Sequence, residues 1–322
     1  MKQIWKDMGI AATMGLIVPA VLLGSVVSLA DKSEPHQPQP VPTIPTIAIE
    51  QQLISVLSES GEVIPIELDD YLTCVLLAEM PVSFADEALK AQSVVARTYT
   101  MRAANGAAKH EQAAVCTESS CCQGYISVEN FLNKGGQAQD VERIQKLIAQ
   151  TRDQVLTYDG ELIEATYFSC SGGATEDAVA VWGTDVAYLR SVESPGEENA
   201  THYTDTVIFN ASDFASRLGL ALEGNPAEWF GITTYTKGGG VATMLIGGKS
   251  FAGTELRRLL ELRSTAFDIQ VDGNDITITT RGYGHRVGMS QYGADAMADA
   301  GSTYPEILAY YYQGTELTRY AD

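Results

Sequence analysis

The sequence predicts an α+β protein in which mixed helices and antiparallel strands wall a substrate groove, set behind a single N-terminal transmembrane helix. Three observations lead there. An uncharged apolar run fills residues 9–30, long enough to cross a bilayer core. Two apolar helical stretches follow within residues 68–99. Further on, polarity alternates with period two around Asp159-Gly160 and again in "NDITITT" at 274–280, the mark of half-buried strands.

Taken in order, Lys2 and Lys6 precede the apolar run and Asp31 and Glu34 follow it. The positive-inside rule then makes residues 1–8 a cytoplasmic tail, 9–30 the anchor, and everything beyond exported. Ser28-Leu29-Ala30 also has the small residues of a cleavage site, which leaves a signal peptide open. Residues 31–46 carry five prolines between Glu34 and Pro45, a composition for an extended spacer rather than a packed core. The exported region is 47–322, with 205–265 as a possible supporting subdomain. A net charge of −20, from 41 acidic against 21 basic residues, repels polyanions and argues against nucleic acid as a partner.

A short strand pair opens the exported region. The segment Leu68 to Ala78 reads as a helix with Asp69 or Asp70 as cap, stopped by Pro81. A second helix starts from Ser83, with Asp86 three residues later as a variant capping box. Glu79 lies between them in "LLAEMP", a carboxyl at the end of an apolar run. Such a group is a candidate general acid; an ordinary surface glutamate at a helix turn is the plainer alternative.

In "HEQAAVCTESSCC", His110, Cys116 and Cys122 are spaced six and six, with Cys121 adjacent. Nitrogen and thiolate donors of this kind suit zinc, which asks for four; these three leave one position open. A disulfide from Cys116 to Cys121 or Cys122, or free thiols, are the other readings. Asp159-Gly160 makes a hairpin turn. After it, Tyr167, Ser169 and Ser171 offer an aromatic face and hydroxyls suited to a sugar. "DTVIFNASDFASRLGL" reads as a strand leading into a capped helix, and "KGGGVATMLIGGKSFAGTELRRLLEL" as another strand, turn and helix beginning near Gly253. The C-terminal "GHRVGMSQYGA" reads as a glycine loop opening a helix. His285, Ser290, Gln291 and Tyr292 are its hydrogen-bonding candidates, and the glycine spacing is wrong for a dinucleotide.

Four ordered blocks resemble the stage II sporulation protein D family: "YLTCVLLAEMP…EALKAQSVVARTY" at 71–99, "YFSCSGGATEDAVAVWGTDVAYLRSVESP" at 167–195, "GHRVGMSQYGA" at 284–294 and "YPEILAYYYQGTEL" at 304–317. The resemblance implies a peptidoglycan lytic transglycosylase. Such an enzyme cuts between N-acetylmuramic acid and N-acetylglucosamine of peptide-stripped glycan strands and leaves 1,6-anhydro ends. It implies Glu79 as the acid, Arg97 as a substrate contact able to grip the muramic carboxylate in two-pronged fashion, and a zinc held by His110, Cys116 and Cys122 in a structural role. The implied setting is engulfment in a sporulating anaerobe, in the mother-cell membrane, beside a stage II sporulation protein P-type amidase and an M-type membrane scaffold. The wider family includes non-catalytic amidase enhancers, which keeps a wall-binding role open. At position 286 the family usually has glycine; Arg286 here implies a backbone that does not demand glycine and a charge that touches ligand or faces solvent.

Overall fold

The computed structural model describes residues 52–320. The expected tail, anchor and spacer all lie outside the described residues. Among the described residues, no helix is long and apolar enough to cross a membrane.

The architecture is mixed α and β. Strands Leu53–Leu57 and Val63–Glu67 pair antiparallel and lead directly into helix α1, Leu68–Glu79. Tyr71, Leu72, Val75 and Leu76 recur at helical spacing and are all fully buried. That face fixes α1 rigidly, so its last residue, Glu79, is carried to a defined place. The helix ends there because Met80 is extended (φ −123°, ψ 142°) and Pro81 follows.

Two capping expectations differ from the structure. Neither Asp69 nor Asp70 caps α1; Glu67 stands at the N-cap without a side-chain bond, and the two aspartates occupy the first turn. Helix α2, Asp86–Arg102, starts from Ala85 rather than Ser83. The Ala85 amide donates to Asp295 Oδ1, 2.8 Å away and 210 residues later. A tertiary contact thus supplies what a local capping box was expected to supply.

Helices α3, Val128–Asn133, and α4, Ala138–Gln150, cover the outer side. Val141, Ile144, Leu147 and Ile148 of α4 are buried together. The hairpin forms as expected, with Asp159 (φ 50°) and Gly160 (φ 82°) as its two left-handed turn residues. The short helix α5, Ala178–Trp182, follows the strand Tyr167–Phe168. These elements share one core with the C-terminal helices introduced below.

A second core is built from Phe214, Trp229, Ile246, Phe251, Leu256, Phe267, Ile276 and Ile278, among others. It contains helix α6, Ala211–Leu218, capped by the Asn210 side chain, and helix α7, Gly253–Leu259. It continues past residue 265 into antiparallel strands Ala266–Asp272 and Asp275–Arg281. The chain then returns to the first core through the glycine loop and helices α8, Gln291–Asp299, and α9, Tyr304–Tyr311.

The glycine loop lies hard against the strand at 167–168. Met289 and Ser290 pair in parallel with Tyr167 and Phe168. At Gly288 (φ 83°) a Cβ would stand 2.1 Å from the Thr166 carbonyl oxygen, so only glycine permits this approach.

Candidate active site and metal cluster

A cleft of about 790 Å³ opens where α1 ends, between the 109–122 loop and the glycine loop. Its walls include Glu79, Tyr99, Lys109, Cys121, Cys122, Glu164, Tyr167, Ser169, Trp182, Tyr283, His285 and Gln291.

Glu79 is half-buried at the cleft wall, and one carboxyl oxygen accepts the Gly124 amide. Burial first, and then the adjacent Glu79 carboxyl, push the Tyr167 phenol well above its ordinary range. Tyr167 therefore stays a neutral hydroxyl beside the acid, and it also donates to Gln123 Oε1 at 3.4 Å. Ser169 lines the cleft, while its carbonyl is occupied by the Tyr292 amide (3.1 Å). Gln291 is 5% exposed, and its buried Nε2 has no hydrogen-bond partner.

His285 is held between Phe168 and Trp182, with ring centroids 5.7 and 5.5 Å away. Its Nδ1 accepts from the Val287 amide at 3.1 Å, which leaves the hydrogen on Nε2. Burial, reinforced by the Arg257 guanidinium, lowers its pKa from 6.5 to about 4. The ring is neutral near pH 7 and is no proton donor there. Because the folded pKa lies below the unfolded value, the unfolded chain takes up the proton first. Stability present above pH 6.5 is lost as pH falls toward 4. Denaturant titrations at stepped pH should show that loss in the wild type and a flatter acid limb in His285→Asn.

Four expected binding residues are not brought to the cleft. Arg97 is 1% exposed, and its guanidinium donates to the carbonyls of Thr151 (2.8 Å), Ile148 (3.4 Å) and Gln154 (3.4 Å), with Asp69 at 3.7 Å. It adds a second donor to carbonyls at and just past the C-terminal end of α4 and at the start of the following strand, and so points inward, away from any substrate carboxylate. Ser171 is buried, its amide and hydroxyl both donating to Glu197 Oε2 at 2.5 and 3.0 Å. Ser290 is the N-cap of α8, accepting the Gly293 amide. Tyr292 packs edge-on against Phe84 at 4.9 Å. Residue type and motif single out these hydroxyls and the guanidinium but carry no information about which way a side chain points.

Residues not picked out from sequence are Lys109, Glu164, Gln123 and Gly124. Lys109 is a basic side chain on the cleft wall, its ammonium bonded to the Cys121 carbonyl; "AKHE" offers no signal beyond its nearness to His110.

Arg286 also departs from expectation. Its backbone is left-handed (φ 65°), the conformation glycine favours, and its side chain is 1% exposed. It forms a buried ion pair with Glu176 at 3.1 Å, reaching neither cleft nor solvent.

His110, Cys116, Cys121 and Cys122 bring one donor atom each to within 4.8 Å of one another, and the thiols are free. His110 Nε2 is 3.5 Å from both Cys121 Sγ and Cys122 Sγ, and those sulfurs are 4.0 Å apart. A tetrahedral ion with bonds of about 2.0–2.3 Å needs donor separations of about 3.5–3.8 Å. The cluster could hold a metal ion with small adjustments, and Cys121 supplies the fourth donor that the expected trio left open.

The family model described as "Stage II sporulation protein" matches residues 57–158. The chain is 40% identical over 265 residues to stage II sporulation protein D of Bacillus subtilis (strain 168), covering 81% of this chain and 76% of that protein. It is 38% identical over 281 residues to the protein of the same description from Bacillus amyloliquefaciens, covering 86% and 81%. An amidase enhancer of Bacillus subtilis (strain 168) is 30% identical over 295 residues, and the match spans 39% of its length.

Proposed function

Because the chain belongs to the stage II sporulation protein D family, we propose that it acts in sporulation as a lytic transglycosylase on peptide-stripped glycan strands of peptidoglycan. The observation that carries this reading is Glu79: a carboxyl fixed at a rigid helix end, facing an aromatic-walled cleft large enough for sugar rings.

Glu79 protonates the departing glycosidic oxygen. As carboxylate it then accepts the proton of the muramic C6 hydroxyl, which attacks C1 and closes the 1,6-anhydro ring. The tethered hydroxyl replaces water, and its proximity supplies the rate advantage of an intramolecular nucleophile. Tyr167 keeps a neutral hydroxyl beside the acid, His285 Nε2–H offers a donor to sugar oxygens, and Trp182, 41% exposed, gives a ring face for stacking. Lys109 takes the place expected of Arg97 as the positive charge near a substrate carboxylate.

The ion at the His/Cys cluster is zinc in this reading. A four-donor thiolate and imidazole set closes the coordination sphere, the pattern of a structural site, and the ion's contribution is to fix the 109–124 loop. Metal analysis should find about one zinc per chain. Cys121→Ser should weaken zinc binding by roughly two orders of magnitude or more in chelator competition; unchanged affinity would return the site to three protein donors.

The protein is anchored by residues 9–30 and works on the exported side, beside a P-type amidase and an M-type scaffold. Full-length protein incubated with peptide-free glycan strands should release fragments with 1,6-anhydro ends, read by mass spectrometry. The similarity to an amidase enhancer supports a second reading, a non-catalytic wall-binding module. It predicts no such ends, and faster amidase turnover on addition.

A further inference from the structure

The turn Cys121–Cys122–Gln123–Gly124 runs directly from the metal cluster to the acid. Its start is fixed by the cluster and by the amides of Cys121 and Cys122, both donating to the Glu118 carbonyl at 3.1 and 2.9 Å. Gln123, 1% exposed, donates from Nε2 to Thr100 (3.0 Å) and Tyr71 (3.4 Å) and accepts from the Tyr167 hydroxyl. The Gly124 amide then donates to Glu79 Oε1. Beyond it, the Ile126 amide returns to the Cys74 carbonyl of α1 at 3.2 Å.

Gly124 is a glycine for reasons of space. Its φ lies outside the left-handed region, and a Cβ there would stand 2.9 Å from Glu79 Oε1 and 3.2 Å from Cδ. The backbone comes this close only without a side chain, and alanine fits the backbone while displacing the carboxyl. A glutamate has three rotatable bonds, and holding one rotamer costs entropy that some fixed partner must offset. That partner is an amide one residue past Gln123 and two past a cluster thiolate.

We propose that Gly124 is a positioning residue for Glu79, and that metal at the His/Cys cluster sets the acid's orientation through residues 122–124. Gln123 sets the neighbouring Tyr167 hydroxyl by the same means. The proposal rests on the reaction assigned above. It gives the metal a part in turnover although none of its ligands acts on the substrate.

The experiment compares full-length wild type and Gly124→Ala, each metal-loaded and chelator-stripped. Loaded Gly124→Ala should lose at least tenfold in kcat, with KM within twofold and with metal content and melting temperature unchanged. Stripping should cost the wild type tenfold or more in kcat and the variant less than twofold, since its relay is already broken. Wild-type kcat in Gly124→Ala, or the same stripping factor in both proteins, overturns the proposal. An activity-free arm separates this failure from failure of the reaction itself. With 15N-glycine labelling, the Gly124 amide proton should lie far downfield in loaded wild type and move upfield both in Glu79→Gln and on metal removal. A signal unmoved by stripping overturns the coupling even if no anhydro ends are ever formed.

Discussion

Glu79→Gln should lower anhydro-end formation by roughly 10²–10⁴-fold, the range a positioned proton donor contributes. Its melting temperature should stay within about 2 °C of wild type. The amide keeps an oxygen for the Gly124 hydrogen bond, so the loss would belong to proton transfer and not to the loop. The control is Glu164→Gln, because Glu164 is a second carboxyl on the same cleft. A hydrolase needs a second carboxylate, either as nucleophile or to activate water, whereas ring closure by the C6 hydroxyl needs none. Glu164→Gln should therefore keep at least a tenth of wild-type activity and the same anhydro product. Reducing-end products in the wild type, or a loss in Glu164→Gln equal to that in Glu79→Gln, would make the enzyme a two-carboxylate hydrolase. Full-rate cutting by Glu79→Gln would move the acid elsewhere.

Local pattern was enough for elements whose reasons are local. Helix α1 follows from the spacing of Leu72, Val75, Leu76 and Leu77, the hairpin from Asp159-Gly160, and the entry to α6 from the Asn210 cap. Glu79 stands out as a carboxyl ending an apolar run two residues before a proline, but that pattern equally fits a surface glutamate, and the family resemblance is what singles it out. What sequence could not supply is partnership across the chain. Arg97 has the chemistry for a carboxylate, but the carbonyls of Ile148, Thr151 and Gln154 reach it first. The start of α2 is set by Asp295, far beyond any capping-box window. The fourth donor at the metal cluster was visible as a neighbouring cysteine, yet whether Cys121 points inward is decided by the turn that carries it. Gly124 had no side chain to notice, and its importance appears only once Glu79 is placed beside it.

Arg286→Gly should destabilise the protein by about 2–4 kcal/mol, although glycine is the residue the backbone there favours. Two effects oppose each other. Relieving a left-handed non-glycine residue recovers roughly 1 kcal/mol, the low end of the cost of such strain. Against that, removing one partner of a buried ion pair costs about 3–5 kcal/mol, because the other charge is left uncompensated. Glu176 is itself 1% exposed, with Oε1 receiving Thr236 (2.8 Å) and the Gly240 amide (3.1 Å) as well as Arg286, and Oε2 without any partner. The guanidinium also binds the carbonyls of Ser171 (2.6 Å), Ala174 (2.7 Å) and Gly238 (2.6 Å), so three acceptors are orphaned with it. Gly238 and Gly240 lead into the strand Val241–Ile246 of the second core, while Ser171 and Ala174 lead to α5. One side chain thus ties the two cores together next to His285. For a chain of this size the loss corresponds to a fall in melting temperature of about 4–12 °C. The sharper test is the pair: adding Glu176→Gln to Arg286→Gly removes the stranded charge and should recover about 1–2 kcal/mol. A double variant no more stable than Arg286→Gly would mean that the lost carbonyl bonds, rather than the unpaired carboxylate, set the cost, and unchanged stability in the single variant would rule out the tie altogether.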